Sequence, residues 1–294
     1  KSTLTWLAEQ CITEARQACG GLGYSSYSGF GKSYADWVVQ CTWEGDNNVL
    51  GMSAGRSILK CVSDVLKKNA KVSGSLLFLT NAKKCLGSEE VLKAEENLNP
   101  GMVLKALEVL IVRVSAAALE KAETNKSWDF VSYERVVLSK LRCHHYLLDT
   151  IIQTLRGVKE PGLLYALAKV IRLYFMTFLL EHFGREFITY RVLCPQLSKK
   201  ITDRLVGESC LEVRNQAIPL TDSFQIPDTL LNSAIGNYNG NWYEDYFRVV
   251  KTLNDPSKTK APYSHDLEAM LNRASVSDRQ RAEKSSEAES KLSR

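Results

Sequence analysis

None of the eight cysteines forms a CxxC pair, and apart from the neighbours Cys143 and His144 none stands near a histidine at metal-ligand spacing. No metal site and no disulfide framework is therefore expected. The cysteines lie mostly among apolar residues and read as reduced thiols used as small hydrophobes. A basic stripe is missing too: 38 Lys and Arg exceed 33 Asp and Glu by a surplus of +5 spread along the chain. Nucleic acid is thus not expected as a partner, and the mild surplus suits an anionic small ligand or a plain solvated surface. The opening KSTLTWLAEQ has no charged region followed by an apolar run, so it is not a signal peptide, nor does it begin with methionine. The longest apolar region, 163–183, is interrupted by Lys169 and Arg172, which argues against a membrane span and for a core helix.

Strand signals are also absent. No stretch joins alternating β-branched residues through a two-residue glycine turn, and there is no internal repeat. What recurs is helical spacing, as in Leu4, Leu7, Cys11, Ile12 and Ala15, or Leu138, Leu141, Leu148, Ile152 and Leu155. The expected fold class is all-α, built as two helical-bundle units. Start and stop signals place helices over about 3–19, 32–40, 45–71, 102–123, 128–156, 161–182 and 185–206, with a short one at 227–235. Residues 20–31 read as a loop, and Asn99-Pro100-Gly101 as a breaker. The expected divisions are a helical unit at 1–75, a linker at 76–101, a second helical unit at 102–275, and a polar tail at 276–294 that is a frayed helix or disorder. Tyr238, Trp242, Tyr243, Tyr246 and Phe247 read as packing anchors, and His144, His145, His182 and His265 as surface or satisfied core histidines.

Two constellations could carry chemistry. The first is QACGGLGY at 17–24, whose glycines allow either a helix cap with a turn or a close backbone approach to a ligand. No strand precedes it, so it is no dinucleotide fingerprint. The second is CTWEGDN at 41–47, where Glu44 stands just before a helix that Asp46 or Asn47 can cap. Glu44 there is either a compensator of the helix dipole or a functional carboxylate.

The two occur together, with Gly20 and Glu44 24 residues apart. Residues 15–50, ARQACGGLGYSSYSGFGKSYADWVVQCTWEGDNNVL, resemble the flavin-dependent acyl-CoA dehydrogenase and oxidase superfamily, and within it the peroxisomal acyl-CoA oxidases of the fungal type. GNWYEDYF at 240–247 and PYSHDLEAML at 262–271 extend the resemblance to the C-terminal end. It implies that the chain corresponds to the C-terminal part only, the preceding helical and β-domains not being in this sequence.

The resemblance further implies FAD as cofactor, a fatty acyl-CoA as substrate, dioxygen as electron acceptor with peroxide released, a homodimer or higher homo-oligomer, and a peroxisomal location. Glu44 matches the catalytic base, which takes the α-proton and also offers its own backbone N–H to the thioester oxygen. In a dry pocket its pKa would be raised by burial. Gln17, Gly20 and Gly21 match positions that touch the adenosine-diphosphate half of FAD from a neighbouring subunit. Gly45, Asp46 and Asn48 match cofactor contacts just after the base, although dehydrogenases more often carry threonine where Asp46 stands. The 250 residues that follow Glu44 favour an oxidase over a dehydrogenase with a C-terminal extension. A third reading makes the isolated chain a helical dimerisation module without a flavin site. An SKL tripeptide at 290–292 is followed by two more residues, so it is not at the C-terminus where a peroxisomal receptor would read it.

Overall fold

The computed structural model describes residues 1–254, 260–271 and 278–285. Among these, every regular element is a helix, apart from one isolated parallel bridge between Leu92 and Leu193. The chain divides into two compact units, Lys1–Leu231 and Asn232 onward. Residues 76–101 lie inside the first unit. The tail at 276–294 is helical over 278–285, and its remaining residues, including SKL at 290–292, lie outside the described residues.

The first unit begins with α1 (Ser2–Ala18), the single turn α2 (Gly20–Tyr24), α3 (Phe30–Val38) and α4 (Asn47–Lys68). The segment 20–31, expected as a loop, is thus largely helical. Gly20 at φ +59° breaks α1, and the chain resumes at once because Gly23 has no Cβ to collide with the Arg16 carbonyl. After α4 come the short α5 (Ala82–Leu86), α6 (Pro100–Asn125) and α7 (Ser132–Leu155). Asn99-Pro100 is a start signal as well as a break. The Asn99 side chain accepts from the Met102 N–H at 3.0 Å, and Pro100 opens α6, where a missing N–H costs nothing.

Helices α4, α6 and α7 form the core, with Leu59, Val62, Leu107, Leu110, Ile111, Leu138 and Leu141 buried between them. Each such side chain contributes about 1.5–3 kcal/mol by leaving water. Helix α4 comes close to α7 through two glycines one turn apart. Gly51 faces Val136, and Gly55 lies against the backbone of Arg135, whose Nε donates to the Met52 carbonyl at 2.9 Å. Thus 1–75 and the helices after 101 share one core.

The next two helices each contain a π-helical turn. Helix α8 (Pro161–Tyr174) runs through Phe175–Leu179 into α9 (Leu180–Thr189), and α10 (Pro195–Lys200) runs through Ile201–Leu205 into α11 (Val206–Arg214). The expected break near 183 is absent, because Gly184 sits between Phe183 and Phe187, whose burial holds the helix through it. The break falls instead at Arg191, with φ +51°, ahead of Pro195. Pro161–Thr189 is long and apolar enough to cross a membrane. At mid-length, however, Arg172 pairs with Glu95 at 3.1 Å and Lys169 with Glu212 at 3.4 Å, both on other elements of the same unit. The core-helix reading holds for the face carrying Ile171, Phe175, Met176, Leu179, Phe183 and Phe187; Leu163 and Tyr165 are exposed.

Two short helices, α12 (Ala217–Asp222) and α13 (Asp228–Leu231), end the first unit. The second contains α14 (Trp242–Leu253) and α15 (Ser264–Leu271). There Tyr238, Tyr243 and Phe247 are largely exposed, and the buried anchor is Asp245, which accepts from Asn237 at 2.7 Å and Asn239 at 2.9 Å. These two amides and Arg248 hold the Asp245 carboxyl below its usual pKa.

Candidate active site

Glu44 occupies the turn between α3 and α4. A 3₁₀ turn at Val39–Cys41 winds the chain down, and the Thr42 and Trp43 N–H groups both reach the Val39 carbonyl at 3.0 Å. Glu44 then enters the left-handed region at φ +53°, and Gly45 follows at φ +102°. A glutamate there costs about 1 kcal/mol, and such outliers cluster at functional positions. The glycine is required at the second position, since an L side chain at that φ would be strained and would crowd Leu50. Glu44 itself is exposed, and its backbone N–H meets no acceptor among the described residues.

Of the two capping candidates, Asp46 does the work: it accepts from the N–H groups of Asn48 at 2.9 Å and Val49 at 3.3 Å. Its side chain is thereby committed to α4. Asn48 is exposed on the first turn, and Asn47 is 1% exposed and faces α1. The Asn47 Nδ2 donates to Thr5 Oγ1 at 2.9 Å, and its Oδ1 accepts from Lys1 Nζ at 2.9 Å. Lys1 Nζ also donates to the Gly45 carbonyl at 2.7 Å, and the Trp37 indole N–H to the Thr5 carbonyl at 3.0 Å. The turn carrying Glu44 is thus tied to the first part of α1. Thr5 and Lys1 carried no sequence signal and Asn47 only that of a helix cap, since the partners in these contacts lie more than 40 residues away.

Gln17, Gly20 and Gly21 sit at the other end of α1, and all three are exposed. Nothing lies within 4 Å of where a Cβ would stand on either glycine, so the backbone is open to approach. Thr5 and Gln17 are twelve residues apart on one helix, about 18 Å at roughly 1.5 Å per residue. The structure therefore gathers Glu44, Gly45, Asp46 and Asn48 at one end of α1 and Gln17, Gly20 and Gly21 at the other.

The histidines at 144 and 145 are core residues on α7, 2% and 3% exposed. His144 Nδ1 meets the Tyr174 hydroxyl, among the rings of Phe178 and Phe183. Burial, helped by the nearby His182 and Lys140, lowers the His144 pKa to about 4, while burial pushes the Tyr174 hydroxyl up. Tyr174 is consequently the donor and neutral His144 the acceptor. His145 Nε2 lies 3.8 Å from a Glu108 carboxylate oxygen, a partner on α6 that no local spacing displays. Among the described residues no cluster of three His, Cys, Asp or Glu side chains could hold a metal ion.

The family model described as "Acyl-CoA oxidase" matches residues 99–272, more than half of the chain, and that described as "Acyl-CoA oxidase, C-alpha1 domain" matches residues 1–59. The chain belongs to the acyl-CoA oxidase family. Acyl-coenzyme A oxidase of Debaryomyces hansenii is 49% identical over 296 residues, covering 100% of this chain and 42% of that protein. Among solved structures, acyl-CoA oxidase 3 of Yarrowia lipolytica superposes with a TM-score of 0.83 at 32% identity, over 95% of this chain and 41% of that one. Acyl-CoA oxidase 2 of Caenorhabditis elegans, bound with FAD, ascaroside-CoA and ATP, superposes at 0.79 and 23% identity, over 94% of this chain and 41% of that one. The chain thus spans about two fifths of the length of these relatives, and aligns with them as their all-helical C-terminal part.

Proposed function

We propose that this chain is the C-terminal helical part of an FAD-dependent acyl-CoA oxidase in which Glu44 is the catalytic base. The reading is supported by the Glu44 turn, where one carboxylate is held left-handed and exposed in a stretch that resembles the family's base motif. A dry pocket around it then needs walls from the rest of the enzyme. In the reaction, the Glu44 carboxylate takes the α-proton of a fatty acyl thioester, and its N–H donates to the thioester oxygen, which acidifies that proton. Loss of hydrogen from the α- and β-carbons leaves a trans-2-enoyl-CoA, the first step of peroxisomal fatty acid β-oxidation.

The residues present fit FAD. Gly20 and Gly21 offer bare, accessible backbone that a pyrophosphate can approach, with Gln17 exposed beside them. At the other end, Gly45 and Asn48 are exposed, while Asp46 acts through its cap of α4. When bound, FAD supplies the hydride acceptor and the route by which electrons reach dioxygen to give hydrogen peroxide. The family resemblance implies that Gln17, Gly20 and Gly21 reach the FAD of a neighbouring subunit, so that two copies in a homodimer complete one another's sites, and the separation of the two clusters along α1 is compatible with that arrangement. The fungal acyl-coenzyme A oxidase relatives support the oxidase reading and, with it, a peroxisomal location.

The test compares the full-length enzyme with its Glu44→Gln variant, each mixed anaerobically with an acyl-CoA while flavin absorbance is followed. Loss of a general base is expected to slow bleaching by at least about 10²-fold. Peroxide on aeration marks an oxidase, and bleaching that persists in air marks a dehydrogenase. A variant that bleaches as fast as the parent reduces Glu44 to a helix-end charge.

A further inference from the structure

We propose that Thr5 and Asn47, with Lys1, form a clamp that sets the position of Glu44. This inference rests on Glu44 being the base, and makes the three positioning residues rather than catalytic ones. Asn47 is the first residue of α4, yet it takes no part in capping, which Asp46 performs alone. Its amide is spent sideways on α1, donating to Thr5 Oγ1 and accepting from Lys1 Nζ. Lys1 Nζ in turn donates to the Gly45 carbonyl, the peptide immediately after Glu44.

Two consecutive left-handed residues need such holding. Glu44 and Gly45 both have positive φ, and a glutamate keeps a positive φ only where its surroundings impose it. What imposes it here is a part-buried polar contact across 42 residues of sequence, at the point where Trp37 also fastens α3 to the Thr5 carbonyl. Thr5 is therefore where α1, α3 and α4 are referred to one another, and the direction of the Glu44 carboxylate is set from there. Removing the hydroxyl leaves the Asn47 amide hydrogen unpaired inside the protein and frees the turn to shift.

The experiment uses the full-length holoenzyme and three variants: Thr5→Val keeps the shape and loses the hydroxyl, Thr5→Ser keeps the hydroxyl, and Lys1→Met releases Gly45 from an exposed position. Proton abstraction is read as exchange of the α-hydrogen of bound acyl-CoA into deuterated water without oxygen, beside acyl-CoA affinity and melting temperature. Since small misplacements cost about 10²-fold, Thr5→Val and Lys1→Met are expected to slow exchange by roughly 10- to 100-fold with affinity held within about twofold, and Thr5→Ser to restore the rate. Unchanged exchange in Thr5→Val and Lys1→Met, a loss confined to affinity or melting temperature, or a Thr5→Ser enzyme as slow as Thr5→Val, overturns the clamp. If Thr5→Val does not fold, Lys1→Met decides alone. Glu44→Gln is measured in parallel. Normal exchange there sinks the base, whereas slow exchange there with normal Thr5→Val and Lys1→Met rates sinks only the clamp.

Discussion

Gly55→Ala tests a close backbone approach in the molecule's core against its neighbour one turn away. A Cβ at position 55 would stand 2.6 Å from the Arg135 Cα and closer still to that residue's carbonyl, whereas a Cβ at position 51 would meet Val136 methyls at 3.7 Å, ordinary contact. The obstacle at 55 is backbone and cannot rotate aside, so α4 and α7 must part by about 1 Å, which places the cost at the upper end of overpacking, about 3 kcal/mol. Alanine in a helix interior returns about 1 kcal/mol over glycine, leaving a net loss of about 2 kcal/mol. For a chain of 294 residues that lowers the melting temperature by about 3 °C. Gly51→Ala keeps the propensity gain without the clash and is expected to be neutral or up to about 1 kcal/mol more stable. Thermal unfolding followed by circular dichroism measures both. Equal melting temperatures for the two variants would refute the close α4–α7 approach.

The remaining predictions concern one buried and one half-buried polar group. His144 holds a pKa of about 4 against 6.5 in an ordinary setting, so between those values the unfolded chain binds a proton that the folded chain does not. Stability is therefore undiminished above pH 6.5 and falls as the pH drops toward 4, by about 3 kcal/mol in all, and urea titrations of His144→Gln should lack that component of the slope. Arg113 donates to the carbonyls of Tyr190 and Arg191 at 2.8 Å each and to that of Ser88, tying α6 to the segment before α10 and to the stretch after α5. Its replacement by methionine strands those carbonyls and should cost about 2–4 kcal/mol, visible as a lower denaturation midpoint with an unchanged slope.

Helicity was legible because the apolar periodicity that buries Leu138 and Leu141 is local, and so were the starts of α4 and α8. Asn99 was harder, since the same asparagine and proline that end one element begin the next. The break expected between 182 and 185 contains Gly184, and a glycine breaks a helix only where nothing else holds it; Phe183 and Phe187 hold this one. At the candidate site, the Glu44-Gly45 turn ahead of a helix, and a cap at Asp46 or Asn47, could be read from seven consecutive residues; that Asp46 is the cap could not. The ties from Asn47 to Thr5 and from His145 to Glu108 could not, because they join positions 42 and 37 residues apart and depend on which helix faces lie together. In the aromatic cluster at 238–247, read as an anchor by its residue types, Trp242 and Tyr246 are half-buried while Tyr238, Tyr243 and Phe247 are exposed, and the fully buried residue is Asp245, which those types overshadow.

Helix α1 carries one cluster near its start and the other beyond its end, and this makes its length a dimension of the enzyme. The residues between Thr5 and Gln17 can change in kind and leave both ends where they are. Adding or removing a single one turns the far end by about 100° about the helix axis and moves it along by about 1.5 Å. The glycines would then face a different direction while Glu44 stayed in register with α4. Helix α1 thus acts as a gauge rod, tolerant of substitution and intolerant of insertion.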